Sequence, residues 1–255
     1  MNKLDRDVLS NILDKLELPD LLRLSFVNQK TYNLIETSVI WFSKLSRDFP
    51  DLPDLPDYWN WLLNLSPKDR YIILYRLRKL KNQLELSNNI YSLLADTELK
   101  SSHNNLKILP KEIGILSNLK ELDLSWNQIS YLPKELYTLI NLEKLYLHHN
   151  NIIKIDKELS NFRKLNTLTL SENQLIELPI EIGQLTTLKN LSLIDNKLAC
   201  LPDEFKNLTN LKRLYLDHIK LLPRNFTHLP EISIYYALKS SSSDIIETTK
   251  KRKLN

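Results

Sequence analysis

Residues 119–141 read LKELDLSWNQISYLPKELYTLIN, and the same phrase begins again at Leu142, Leu165, Leu188 and Leu211, each 23 residues after the last. Within it Leu119, Leu122 and Leu124 precede Asn127, followed by Ile129, Leu132-Pro133, Leu136 and Leu139. The Leu122-x-Leu124 alternation has the period of a strand with its leucines on one side, and the asparagine falls where the chain must turn. An amide at that point has donor and acceptor capacity for backbone groups buried between turns. Asn104, Asn127, Asn150, Asn173 and Asn196 are therefore expected to form a ladder. The proline starts a loose helical or extended return. No single turn of this kind buries its own apolar face, so the copies must stack, strand beside parallel strand, into one cooperative coil.

Degenerate copies flank the regular ones. One step upstream lie Leu99, Asn104, Leu106, Leu109-Pro110, Ile113 and Leu116, with Ser101 in a leucine slot. An earlier fragment, Leu84-x-Leu86-x-x-Asn89, is out of phase and reads as a shortened first repeat. The last copy, Leu211-x-x-Leu214-x-Leu216, has lost its asparagine and reaches Pro223 early, as terminal repeats do. The wording L-P-x-E-I-G-x-L-x-N-L runs from Leu109 to Leu119 and recurs from Leu178 to Leu188 with Thr187 in place of Asn118. It resembles leucine-rich repeats of the intracellular kind. The resemblance spans Leu84 to Leu229. It implies an α/β leucine-rich repeat solenoid whose strands line the concave side, a side that in this family usually binds protein.

If the leucines point inward, the residues between them form exposed columns about 4.8 Å apart. The first holds Glu98, Glu121, Lys144, Thr167, Asn190 and Arg213, and the second Lys100, Asp123, Tyr146, Thr169, Ser192 and Tyr215. The third holds Ser102, Ser125, His148, Ser171, Ile194 and Asp217, and the fourth His103, Trp126, His149, Glu172, Asp195 and His218. Aromatic and arginine side chains carry most binding energy at interfaces. Asp123, Trp126, Lys144, Tyr146, His148, His149, Glu172, Arg213 and Tyr215 are accordingly the candidate target-binding residues. Adjacent side chains on a strand point in different directions, which argues against a metal held by His148, His149 and Glu172. Cys200 occupies the polar slot of Tyr131, Lys154 and Glu177, with no histidine beside it in register.

Several function classes are excluded by composition. The 255 residues include two glycines, Gly114 and Gly183, too far apart for a glycine-rich phosphate loop. One cysteine forbids a disulfide framework and a cysteine-based zinc site, and fits a reducing compartment. No apolar run approaches the ~20 residues of a membrane span, so neither a membrane anchor nor secretion is expected. A net charge of +4, spread along the chain, gives no argument for nucleic acid. No nucleophile, base and orienter set appears, so no catalysis and no cofactor are expected.

Ahead of the repeats, Val8, Leu9, Ile12, Leu13 and Leu16 share one helical face over residues 5 to 16, with Asp5 as cap. Glu17, Leu18 and Pro19 read as a break, and Asp20 as the cap of a second helix carrying Leu21, Leu22, Leu24 and Val27. Tyr32, Leu34 and Ile35, then Val39, Trp41, Phe42 and Leu45, extend the helical module. The sequence from Leu4 through Val27, with Tyr32 and Trp41, resembles the F-box. It departs from that family's wording at Asp5, Asn28 and Tyr32. In that family the module docks on a Skp-type adaptor within a cullin ubiquitin ligase. The resemblance implies adaptor contacts by Leu4, Val8, Leu9, Ile12 and Leu21, facing the partner or supporting it, and an interior of Leu13, Leu16, Leu24, Val27 and Trp41.

The chain thus divides into an F-box-like helical domain at 1–49, a proline-rich linker and connecting helix at 50–83, repeats at 84–229, and a cap remnant with a basic, disordered tail at 230–255. The connecting helix starts at Ser66-Pro67 with Ile73, Leu74, Leu77 and Leu80 inside and Arg70, Arg76, Arg78, Lys79 and Lys81 solvated. Lys250-Lys251-Arg252-Lys253 reads as a solvated end, with a nuclear address as the alternative to a purely cytoplasmic protein. The whole reads as a non-catalytic substrate receptor of a Skp–cullin–F-box ligase that binds an unidentified protein target. A repeat scaffold whose N-terminal helices only cap the coil is the alternative.

Overall fold

The computed structural model describes Leu13, residues 15–24, Ile35, and residues 38–50, 65–86, 90, 92–216 and 233–236, the side chains of 23, 24, 38, 39 and 233–236 excepted. Most of the expected first helix, Val27, Tyr32, residues 51–56, Asp217, His218 and the tail from Ser240 lie outside those residues. The chain forms two compact units, one of Met1–Lys79 with Asn89–Tyr91 and one of Leu80–Asn88 with Ser92–Asn255.

In the first unit, α1 (Leu18–Leu24) starts before Asp20. Pro19 sits in its first turn, where a missing N–H costs nothing, and the N–H groups of Asp20 and Leu21 both donate to the Glu17 carbonyl. The break between helices therefore falls at Leu16 and Glu17, and the Leu18-Pro19 pair opens the next helix. Helix α2 (Ser38–Asp48) buries Ile40, Trp41, Lys44 and Leu45, and Phe49 after it is buried too, as are Leu13, Leu21 and Ile35. Trp41 Nε1 donates to the Ile35 carbonyl at 2.5 Å, and the fully buried Lys44 ammonium to the Leu16 carbonyl at 2.6 Å.

Helix α3 (Pro67–Gln83) opens as the sequence predicts: Ser66 is its N-cap, its Oγ accepting the Asp69 N–H at 3.1 Å and donating to the Asp69 carboxylate at 2.7 Å. Leu74, Leu77 and Leu80 are buried as expected. Tyr71 joins them: its ring lies 5.6 Å from Trp41 and 5.7 Å from Phe49, and its hydroxyl donates to Asp48 at 2.6 Å. Arg78, expected in solvent, instead covers the Phe49 ring at 4.1 Å and donates to the Asp48 carbonyl.

Leu84-x-Leu86 is not a strand. The Leu84 N–H closes the helix on Leu80, the Leu86 N–H reaches back to Lys81 at 3.0 Å, and Glu85 between them has φ 52°. This is a Schellman cap, in which an apolar residue after the left-handed one packs on the last turn. Its Leu-x-Leu wording imitates a repeat.

The second unit holds a seven-stranded parallel sheet in the order β1 to β7: Glu98–Lys100, Glu121–Asp123, Lys144–Tyr146, Thr167–Thr169, Asn190–Ser192, Arg213–Leu216 and Ser233–Tyr236. From β1 to β6 the register steps by one period, Leu122 facing Leu145 and Leu145 facing Leu168. The seventh strand lies within the expected cap remnant and pairs in parallel with β6, Leu216 opposite Tyr236. The returns are five-residue 3₁₀ turns starting at Lys111, Lys134, Lys157, Ile180 and Asp203, four of them preceded by proline and the third by Asp156. The strand and turn leucines of successive copies form one continuous core.

The asparagine ladder is present. Asn150 Nδ2 donates to the Leu124 and Leu147 carbonyls at 2.9 and 3.1 Å, and its Oδ1 accepts the Ile129 N–H at 3.0 Å. Asn127, Asn173 and Asn196 repeat the arrangement one turn apart. Ser101 suits its leucine slot because its hydroxyl, together with the amide of Asn104, completes the first rung on the Leu84 carbonyl. A second ladder runs along the turns before the strands, where Asn118, Asn141 and Asn210 donate to carbonyls one repeat back.

Candidate functional site

The strand face is built from the side chains that alternate with the core leucines. In its first column Lys144 Nζ meets Glu121 Oε2 at 2.9 Å, raising the lysine above its ordinary value. Asn190 bridges Thr167 and Arg213 at 3.2 and 3.4 Å. In the second column Asp123 accepts the Ser125 N–H and hydroxyl at 2.9 and 2.6 Å, and Tyr146 is half-buried beside it. Burial, with help from the Glu121 charge, pushes the Tyr146 hydroxyl up. Arg213 is exposed and Tyr215 half-buried near the end of the sheet.

The fourth column has a conformation that the sequence does not announce. His103, Trp126, His149, Glu172 and Asp195 all have φ between 52° and 60°. For residues with a Cβ this left-handed region costs about 1–2 kcal/mol each. Each turn nonetheless repeats it, because it aims consecutive N–H groups at the neighbouring turn: Trp126 and Asn127 donate to His148 and His149, and His149 and Asn150 to Ser171 and Glu172.

The same geometry stacks the side chains. The His103 ring lies 5.2 Å from Trp126 at 14°, Trp126 lies 3.5 Å from His149 at 20°, and His149 Nδ1 meets Glu172 Oε2 at 2.6 Å. An imidazole thereby stacks on either side of the indole, and the tryptophan stays 47% exposed. His148 stands in the next column, 5.7 Å from His149 at 63°, with Nδ1 3.2 Å from the Thr169 hydroxyl. Burial lowers its pKa, outweighing the opposing Asp123 charge, and the neighbouring His149 adds a smaller push in the same direction.

Of the expected target-binding residues, the structure gathers Trp126, His148, His149 and Glu172 into one contiguous cluster. Lys144 pairs with Glu121, while Arg213 is joined to Asn190, toward the other end of the sheet. His103, absent from that set, completes the stack; its position one period before Trp126 was the available signal. Among the described residues no three His, Cys, Asp or Glu side chains converge to hold a metal ion, and no helix is long and apolar enough to cross a membrane. Of the expected adaptor contacts, Leu4, Val8, Leu9 and Ile12 lie outside the described residues, and Leu21 is fully buried, so it can only support such a surface from within.

Residues 117–175 match the leucine rich repeat family, and the stack is a leucine-rich repeat solenoid. Residues 1–43 match the F-box domain, so the chain carries an F-box together with leucine-rich repeats. Among solved structures, an LRR protein of Leptospira interrogans is 41% identical with a TM-score of 0.53, covering 56% of this chain and 37% of its own. The functional domain of InlJ from Listeria monocytogenes is 26% identical with a TM-score of 0.44, covering 55% of this chain and 31% of its own. The chain thus spans about a third of the length of these neighbours. No curated protein matches it.

Proposed function

We infer that the protein is the substrate receptor of a Skp–cullin–F-box ubiquitin ligase. The F-box of residues 1–43 docks on a Skp-type adaptor through Leu4, Val8, Leu9 and Ile12, with Leu21 supporting them from the interior. The strand face takes the protein target, with the His103–Trp126–His149 stack as its anchor, Tyr146 on the same part of the sheet, and Arg213 and Tyr215 toward its other end. Ubiquitin transfer then belongs to partner proteins, and this chain contributes proximity. On this reading it works in the cytoplasm. The observation that carries the reading is the union, in one chain, of an F-box match with a strand face bearing an exposed aromatic cluster.

The test is affinity capture of the tagged full chain from eukaryotic lysate, probing for adaptor and cullin. The full chain and Trp126→Ala should recover both, whereas Ile12→Asp and a chain lacking residues 1–49 should recover neither. If the full chain recovers neither, the N-terminal helices serve only to close the coil, and the protein is a repeat scaffold outside the ubiquitin system.

A further inference from the structure

Three of the chain's five histidines, His103, His148 and His149, meet around Trp126, so the side chain that changes charge near neutral pH is concentrated at one point of the strand face. The backbone beneath them is pinned. The N–H groups of His103, Trp126, His149 and Glu172 each donate to the next turn, to the carbonyls of Ser125, His148, Ser171 and Ile194. A change of charge here is therefore answered by side-chain torsions alone.

The two consecutive imidazoles are placed differently. His148 is half-buried with Nδ1 3.2 Å from the Thr169 hydroxyl, and burial opposes its charge. His149 lies between a π face and a carboxylate, its ring 3.5 Å from Trp126 and its Nδ1 2.6 Å from Glu172 Oε2. Both of those neighbours favour a cation. A neutral imidazole with its proton on Nδ1 keeps the hydrogen bond to Glu172. A second proton, on Nε2, makes that bond charge-assisted and adds the attraction of a cation to the indole face. The other charges near His149 are Asp123 and His103 from the preceding turns and His148 from its own. Asp195 stands one turn beyond Glu172, and Lys144 is matched by Glu121. Only the two imidazoles oppose a charge on His149; burial disfavours charge on His148, and the indole stands between His149 and His103.

We propose that His149 is a proton-operated latch on Trp126. Protonated, it is held from both sides and fixes the indole in the stack; neutral, it leaves the indole free to turn about its own torsions. An anchor fixed before contact costs less to order, so a target packed on Trp126 is held more tightly as the pH falls from about 8 to about 5. By linkage, binding such a target takes up a proton. That consequence rests on the strand face being the target site. The latch itself does not, and it is tested on the chain alone, apart from adaptor and target.

The full chain, isotope-labelled at its tryptophan nitrogens, gives one indole N–H resonance for each of four tryptophans, and the one absent from Trp126→Phe belongs to Trp126. Between about pH 8 and pH 5 this resonance should shift, and its order parameter should rise from about 0.6 to about 0.85. His149→Asn should abolish both changes; asparagine tolerates the left-handed backbone at this position, so the turn is kept. Glu172→Gln, at an exposed side chain, should keep the shift and lose most of the rise in order, because the imidazolium is then held from one side only. His148→Asn and His103→Asn should retain both changes. Unchanged thermal unfolding at about pH 7.5 verifies that each variant folds. An order parameter that does not rise on acidification, changes that survive His149→Asn, a rise undiminished in Glu172→Gln, or changes lost in His148→Asn or His103→Asn would each overturn the proposal.

Discussion

At Asn150 one amide holds three backbone groups drawn from two turns, all of them out of water. Truncation to alanine leaves the Ile129 N–H without a partner, while the Leu124 and Leu147 carbonyls lose one donor each and keep Asn127 and Asn173. At about 1–3 kcal/mol for the one unsatisfied group, with two further bonds lost, Asn150→Ala should lose about 2 kcal/mol or more in urea unfolding. A pH dependence follows from His148. Burial holds its folded pKa below 6.5, so the unfolded chain binds the proton more readily. The stability associated with the neutral imidazole is complete above 6.5 and is lost as the pH falls through the folded value. Unfolding free energies at about pH 7.5 and pH 5 should differ accordingly, and less so in His148→Asn. The columns containing these residues were readable because the spacing never varies. The ring stack was not: glycine is the strong signal of a left-handed backbone in a sequence, and here the region is occupied by histidine, tryptophan and carboxylates.

Whole turns obey a tighter constraint where they touch. A Cβ on Gly183 would lie 2.3 Å from the Glu204 carbonyl oxygen, and one on Gly114 2.8 Å from that of Glu135. Since backbone cannot swing aside, Gly183→Ala should cost about 2 kcal/mol, measured by calorimetry. The equivalent slot in the second copy holds Tyr137, buried against Phe162 at 5.6 Å. Its hydroxyl accepts the Asp156 N–H at 3.3 Å, an N–H that exists only because this turn lacks the usual proline. Burial pushes that hydroxyl up to about 12. The helix start at Ser66 is a simpler case, and Ser66→Ala should lose about 1 kcal/mol. Elements that depend on local wording were legible: the helix start at Ser66-Pro67, the strands, the returns. The Leu18-Pro19 helix start, the Schellman cap at Leu84 and the strand Ser233–Tyr236 were misread or missed. A proline's meaning depends on which turn it enters, Leu-x-Leu occurs in two geometries, and the seventh strand lacks the leucine-asparagine phrase altogether.

Across the molecule, stability resides in two separate cores, one centred on Trp41, Phe49 and Tyr71 and the other on the stacked leucines. A single two-state transition is not expected of such a chain. Scanning calorimetry should resolve two transitions. Trp41→Ala, at about 3–5 kcal/mol for a buried aromatic, should lower one of them, and Asn150→Ala the other. The division into helical module and repeats was visible in the sequence because the periods differ, 3.6 residues before Leu84 and 2 within a longer repeat after it.

The constancy of the 23-residue step bears on how such a gene can change in length. Every rung of the asparagine ladder joins a turn only to its immediate neighbour, so a duplicated stretch such as 165–187 would enter the stack with each of its bonds already specified. An insertion between a strand leucine and the asparagine that follows it would instead shift the leucines off the core. The second and third turns are an exception, since Tyr137 and Asp156 bind each other across their boundary and must be inherited as a pair.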